Sequence, residues 1–136
     1  MSGKPFTKTD EEIEKIVHIV IGAAIEVHKN LGPGLLEKHY EEALCIELDV
    51  RGLKYERQKS VHLQYKDRPI GSGVIDLFVE GRLVVELKAK AVVSELELAI
   101  ARSYVRIVKE PLGLMLNFHD PAMNDKNAIR RIIAGI

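Results

Sequence analysis

Asp76 and the triplet Glu86-Leu87-Lys88 are the residues of this chain whose types and spacing could do chemistry. Two carboxylates and a lysine on one sheet face are what metal-assisted phosphodiester hydrolysis requires: oxygen ligands for a divalent cation and a fixed positive charge beside a phosphate. Alternate residues of a strand share a face, so Glu86 and Lys88 point one way and Leu87 the other. Whether Asp76 joins them depends on the turn between Gly73-Val74-Ile75-Asp76-Leu77-Phe78-Val79 and Leu83-Val84-Val85-Glu86-Leu87-Lys88. A two-residue Glu80-Gly81 loop would part Asp76 from Glu86. A three-residue Val79-Glu80-Gly81 turn, with Gly81 left-handed, puts Asp76, Glu86 and Lys88 on one face and Ile75, Leu77, Leu83, Val85 and Leu87 on the other. The second register yields a wholly apolar face and is preferred.

The same alternation also fits a half-buried strand with one solvated face. Against that reading, Val74 and Phe78 flank Asp76 and Val84 flanks Glu86. Carboxylates in such partly apolar surroundings need a cation or hydrogen bonds. Lys88 and a divalent metal are the candidates.

The elements that must position these residues follow from periodicity. Thr9 and Glu12 form a capping box ahead of Ile13, Ile16, Val17, Val20, Ile21 and Ala24, which predicts a helix over about 10–29. Asn30 through Gly34 break it. A second helix, about 35–51, carries Tyr40, Leu44 and Leu48 on one stripe and stops at Gly52; Glu37 lies in its first turn. Residues 55–65 alternate as a strand ending at the Lys66-Asp67-Arg68-Pro69 turn. After the Asp76 and Glu86 strands, Leu96, Ile100, Tyr104 and Ile107 mark a helix over about 94–108. Leu114-Met115-Leu116-Asn117-Phe118 reads as a buried strand. The tail from about Pro121, with Ile129, Ile132 and Ile133 beside Arg130 and Arg131, is a last helix or an edge strand. An antiparallel meander followed by a helical crossover implies an α/β fold, a mixed sheet with helices packed against it. A tail over 1–9 and one domain over 10–136 are expected from 136 residues without repeats.

A formal net charge of zero argues against coating nucleic acid by bulk electrostatics and leaves room for a local basic patch. Lys88, Lys90, Arg102, Arg106 and Lys109, on the third helix and the strand before it, are the candidate nucleic-acid contacts. Cys45, the only cysteine, permits no intrachain disulfide and reads as a core thiol. His18, His28, His39, His62 and His119 lack zinc-site spacing, and Gly32-Pro33-Gly34 lacks the Lys-Ser/Thr of a phosphate loop. With no apolar run of about 20 residues and no apolar stretch behind Met1-Ser2-Gly3-Lys4-Pro5, a cytoplasmic protein without a membrane span is expected.

Gly34-Leu35-Leu36-Glu37-Lys38-His39-Tyr40 resembles the Gly-x-x-Glu-x-x-Tyr motif of the GxxExxY proteins. The similarity continues through Glu56-Arg57-Gln58, Ile75-Asp76, Val85-Glu86-Leu87-Lys88-Ala89 and Leu116-Asn117-Phe118, over roughly residues 13–133. That family looks like a branch of the PD-(D/E)XK nuclease-like superfamily, which implies a restriction-endonuclease-like mixed sheet flanked by helices, in the order α-α-β-β-β-α-β plus a terminal element. It also implies Asp76 and Glu86 as ligands of Mg²⁺ or Mn²⁺, Lys88 as the residue that orients or activates water, and Glu37 reaching toward the metal or its water shell. The ion would supply the nucleophile and neutralise charge on the phosphate. Two positions depart from the pattern. Ile100 stands where relatives carry the Gln of Gln-x-x-x-Tyr, four residues before Tyr104, with Glu97 one turn earlier as a partial substitute. Val74 stands where they often carry a basic residue.

Three readings follow: a metal-dependent nuclease acting on DNA or RNA; a nuclease-like module with weakened chemistry that binds nucleic acid or a protein partner; and a homo-oligomer that buries its charged strand face.

Overall fold

A computed structural model describes residues 8–124 and 127–134, with side chains from residue 11. The chain runs α1 (Lys8–Leu31), α2 (Glu37–Val50), β1 (Tyr55–Tyr65), β2 (Arg68–Val79), β3 (Leu83–Lys88), α3 (Glu95–Ile107), β4 (Leu112–Asn117) and β5 (Ile129–Ile133). The five strands form one sheet in the order β1-β2-β3-β4-β5. Neighbours are antiparallel except β3 and β4, which run parallel across the α3 crossover. This is the mixed, helix-flanked α/β sheet expected, and the tail is settled as an edge strand.

Two apolar layers sandwich the sheet. Ile13, Val17, Val20 and Ala24 of α1 and Tyr40, Leu44 and Leu48 of α2 pack on Leu77, Val79, Leu83, Val85 and Leu87. On the other face, Leu98, Ala101 and Val105 of α3 cover Phe78, Val84 and Met115. Cys45 is buried in the first layer, and desolvation raises its thiol pKa. None of the helices among the described residues is long and apolar enough to cross a membrane.

Several expectations need correction. The helix α1 begins at Lys8, so Thr9 falls inside its first turn rather than at its cap, and residues 1–7 of the expected tail lie outside the described residues. The strand β2 starts five residues before Gly73, extending the hairpin with β1. Of the stripe that marked α3, Leu96, Ile100 and Ile107 are exposed and only Tyr104 packs against the second layer. Leu98, Ala101 and Val105 share an equally apolar helical spacing, and they are the face small enough to approach the sheet. A Cβ on Gly113 would lie 2.7 Å from Val105 Cγ2, so the helix rests against bare backbone there.

The β2–β3 loop has three residues, as parity required, but they are Glu80, Gly81 and Arg82: Val79 pairs with Leu83 and Leu77 with Val85. Glu80 and Gly81 both take positive φ. Further along, the β1–β2 ladder skips Gln58 opposite Asp76, and Gln58 is left-handed at φ 49°. Beyond this break the faces exchange. Ile75 packs in the α3 layer rather than with Leu77, and Gly73 lies against the Tyr104 ring, where an added Cβ would be 2.6 Å away. Val74 is exposed and does not share a face with Phe78.

Candidate metal centre

The ladder between β2 and β3 stops at Leu77 and Val85. On the rung that would follow, side chains take over the hydrogen bonding. The Asp76 backbone N–H donates to Glu86 Oε2 at 3.0 Å, and the Leu87 N–H donates to Asp76 Oδ2 at 2.8 Å. Each carboxylate thus caps the opposite strand where the two part, and this reciprocal pair brings Asp76 and Glu86 together. Strand parity put them on one side. The break at Gln58, which frees the backbone of Asp76 from β1, lets them face each other.

The electrostatics match that placement. Only 8% of Glu86 is exposed. Burial first, then the neighbouring Asp76 charge, pushes its carboxyl up to about 8, against the pull of the Asp76 N–H and Lys88. Burial likewise raises Asp76, opposed by the Leu87 N–H and Lys88. Two carboxylates both raised by burial, with the Asp76 charge raising Glu86 further, are a site short of positive charge.

Lys88 lies one step along β3 on the face of Glu86. Its ammonium is 3.5 Å from Glu97 Oε2, which Lys90 also approaches at 2.9 Å. Those two lysines and the Ser94 N–H hold Glu97 down at about 2, the Ser94 bond being the largest cause. Glu97, one turn before Ile100, therefore grips the lysine from α3. Ile100 is 41% exposed and offers no polar group.

Glu37 is the first residue of α2 and is exposed. It makes no hydrogen bond to either carboxylate, but its charge adds to the upward shift of both. The residues around it explain its position. Gly34 takes φ 108°, a conformation favouring glycine. Tyr40, fully buried, donates its hydroxyl to the Gly32 carbonyl at 2.6 Å and accepts from the Leu35 N–H at 3.2 Å. Its ring stacks on Phe118 with centroids 4.4 Å apart. The glycine and the tyrosine shape the loop, and the glutamate starts the helix that leaves it.

Two residues at the site had no assigned role. Gln58 donates to Glu41 Oε1 at 2.9 Å and helps hold Asp76 acidic. Asn117, buried and paired in register with Lys88, accepts from the Lys90 N–H and donates to the Lys90 carbonyl, fixing the chain as it leaves β3. Their presence in the similar segments was the one signal available, since neither stands in a periodic pattern.

The five basic residues expected to contact nucleic acid do not form one patch. Lys88 and Lys90 converge on Glu97 at the start of α3. Arg106 reaches the Ala134 carbonyl, and it and Lys109 lie at the far end of the helix. Arg102 sits between, half-buried.

Among the described residues no three His, Cys, Asp or Glu side chains form a metal-binding group. A pair of carboxylates is nonetheless the donor set that Mg²⁺ accepts, because that ion keeps several water ligands. A closed zinc site needs four protein ligands. The donor chemistry and the uncompensated negative charge both fit a hard divalent cation.

Comparison with curated proteins and with solved structures gives no match. The family model described as the PD-(D/E)XK nuclease superfamily matches residues 14–132, which takes in β1 to β4, all but the last residue of β5, and the Asp76, Glu86 and Lys88 positions. The chain belongs to the PD-(D/E)XK nuclease superfamily.

Proposed function

We propose that this nuclease-like module hydrolyses phosphodiester bonds of DNA or RNA, with Asp76 and Glu86 holding Mg²⁺ or Mn²⁺. The observation that supports this most is the carboxylate pair at the parted strands, both members raised by burial and flanked by Lys88. A bound cation would neutralise the pair and stabilise negative charge developing on the phosphate. Lys88 presents a protonated amine on the same face, where it can donate to a phosphate oxygen and orient the group for in-line attack. Glu97 keeps that amine from swinging away. Glu37, exposed at the start of α2, can hydrogen-bond water approaching the phosphate. Asp76 and Glu86 keep two strands fixed while they bind, so the site is organised before substrate arrives.

Two observations favour a second reading, a module that keeps the fold and binds nucleic acid or a protein partner with weakened chemistry. Ile100 cannot hydrogen-bond substrate, and Lys88 is already engaged by Glu97.

Purified protein incubated with single- and double-stranded DNA and RNA, in Mg²⁺, Mn²⁺ or EDTA, decides between them. Asp76→Asn and Lys88→Ala serve as variants, asparagine keeping an acceptor for the Leu87 N–H. Metal-dependent cleavage absent from both is expected. No cleavage by the parent protein on any polymer, with binding unchanged by either substitution, rejects hydrolysis in favour of the second reading.

A further inference from the structure

Arg130 is half-buried on β5, yet its side chain makes no hydrogen bond or ion pair among the described residues. Arg82, half-buried in the β2–β3 loop, by contrast holds Glu110 at 2.6 Å. A guanidinium carries five donors, and leaving them unpaired away from bulk water is unfavourable. Its surroundings show where those donors can be used. Arg130, Asn117, Asn127, Ala91, Val92, Val93 and Glu95 line a cavity of about 270 Å³, at the ends of β3 and β4 where the chain turns into α3.

The register ties this cavity to the carboxylates. Glu86 pairs with Met115, and Met115 pairs with Arg130. Paired residues share a face, so Arg130 projects on the side of the sheet that carries Glu86 and Lys88. Two strand spacings separate Arg130 from Glu86, about 10 Å. At one phosphate per about 3.4 Å of axis on each strand, a nucleic-acid strand presents more than one phosphate over that distance. Among the described residues Glu95 is the one acidic side chain lining the cavity, and it forms no ion pair with Arg130.

We propose that Arg130 and this cavity form a phosphate subsite, which holds a non-scissile phosphate of the strand whose scissile phosphate lies at Asp76 and Glu86. The inference rests on the hydrolytic reading above for its substrate. The guanidinium fork matches two phosphate oxygens, which an ammonium cannot. The phosphate is either an internal diester or the monoester at a strand end.

Binding in EDTA separates this inference from catalysis. Oligonucleotides with and without a 5′-phosphate are titrated against the full chain, Arg130→Ala and Arg130→Lys over a range of salt, with melting temperature recorded for each. Arg130→Ala is expected to weaken binding about tenfold and to reduce the salt slope by about one, with Arg130→Lys in between. Its melting temperature should not fall, because no partner is lost. Weakening on both oligonucleotides identifies an internal diester; weakening on the phosphorylated one alone identifies a strand end. Unchanged affinity, or weakening that accompanies a lower melting temperature, overturns the subsite. Weakened binding by a protein that never cleaves leaves the subsite standing and rejects hydrolysis. Cleavage by Arg130→Ala with unchanged affinity does the reverse.

Discussion

Glu86→Gln isolates the energetic consequence of placing a negative charge between the parted strands. The amide keeps an oxygen to accept from the Asp76 N–H and cannot ionise. In the native protein Glu86 is pushed from an ordinary 4.5 up to about 8. A group whose folded pKa is raised contributes its stability below the unfolded pKa and loses it as pH rises through the folded one. Here the window runs from about pH 4.5 to about pH 8. At roughly 1.4 kcal/mol per pH unit, ionised Glu86 weakens the metal-free fold by a few kcal/mol, with about 5 kcal/mol as the ceiling. Urea denaturation in EDTA at pH 5.5 and pH 8.5 measures it. Between those two pH values the variant should gain on the parent protein by a midpoint shift of about 1–2 M urea, taking a slope near 2 kcal/mol per molar. Mg²⁺ should erase the difference at pH 8.5 by binding the ionised pair of the parent protein alone. Parallel pH curves for the two proteins in EDTA would refute the argument, since they would mean that Glu86 ionises as freely in the fold as out of it.

Tyr40→Phe removes the hydroxyl that bonds Gly32 and Leu35, and should lower unfolding free energy by about 1–2 kcal/mol with the core otherwise intact, as read by denaturant titration. Gly73→Ala places a Cβ 2.6 Å from the Tyr104 ring and should cost about 1–3 kcal/mol. A double mutant with Tyr104→Ala should lose less than the sum of the single losses, and additivity would show that the close approach is not the cause. Glu97→Gln frees Lys88 and Lys90 from their shared carboxylate. Nucleic-acid affinity at low salt should rise severalfold by equilibrium titration, and the gain should vanish at high salt.

Much of the architecture was legible because parity and period are local. The strand Leu83–Lys88 and the stripe Tyr40-Leu44-Leu48 are where alternation and helical spacing put them. The three-residue loop followed from demanding one apolar face, and it is displaced by one residue because the left-handed turn uses both Glu80 and Gly81. The ladder break at Gln58 was not legible. It depends on hydrogen bonds between Asp76, Glu86 and Leu87, residues about ten positions apart, and nothing in the pattern around Gln58 marks a left-handed residue. Ile75 changed layers for the same reason. In α3, two apolar stripes compete, Leu96-Ile100-Tyr104-Ile107 and Leu98-Ala101-Val105. The choice falls on the stripe whose small side chains fit the bare backbone at Gly113, a contact between distant parts of the chain.

The exchange of backbone N–H groups for carboxylates at Asp76 and Glu86 bears on how inactivity would be inherited. Removing either acid leaves a buried donor without an acceptor, a penalty of about 1–3 kcal/mol. A descendant that abandoned hydrolysis would still be held to an acceptor at both positions by the need to fold. Acidic or amide residues there would outlive the chemistry, and their presence would be a poor guide to which members of a lineage still cut. Lys88, whose ion pair with Glu97 is half-exposed, carries no such obligation. Its loss would be the earlier sign that catalysis had been given up.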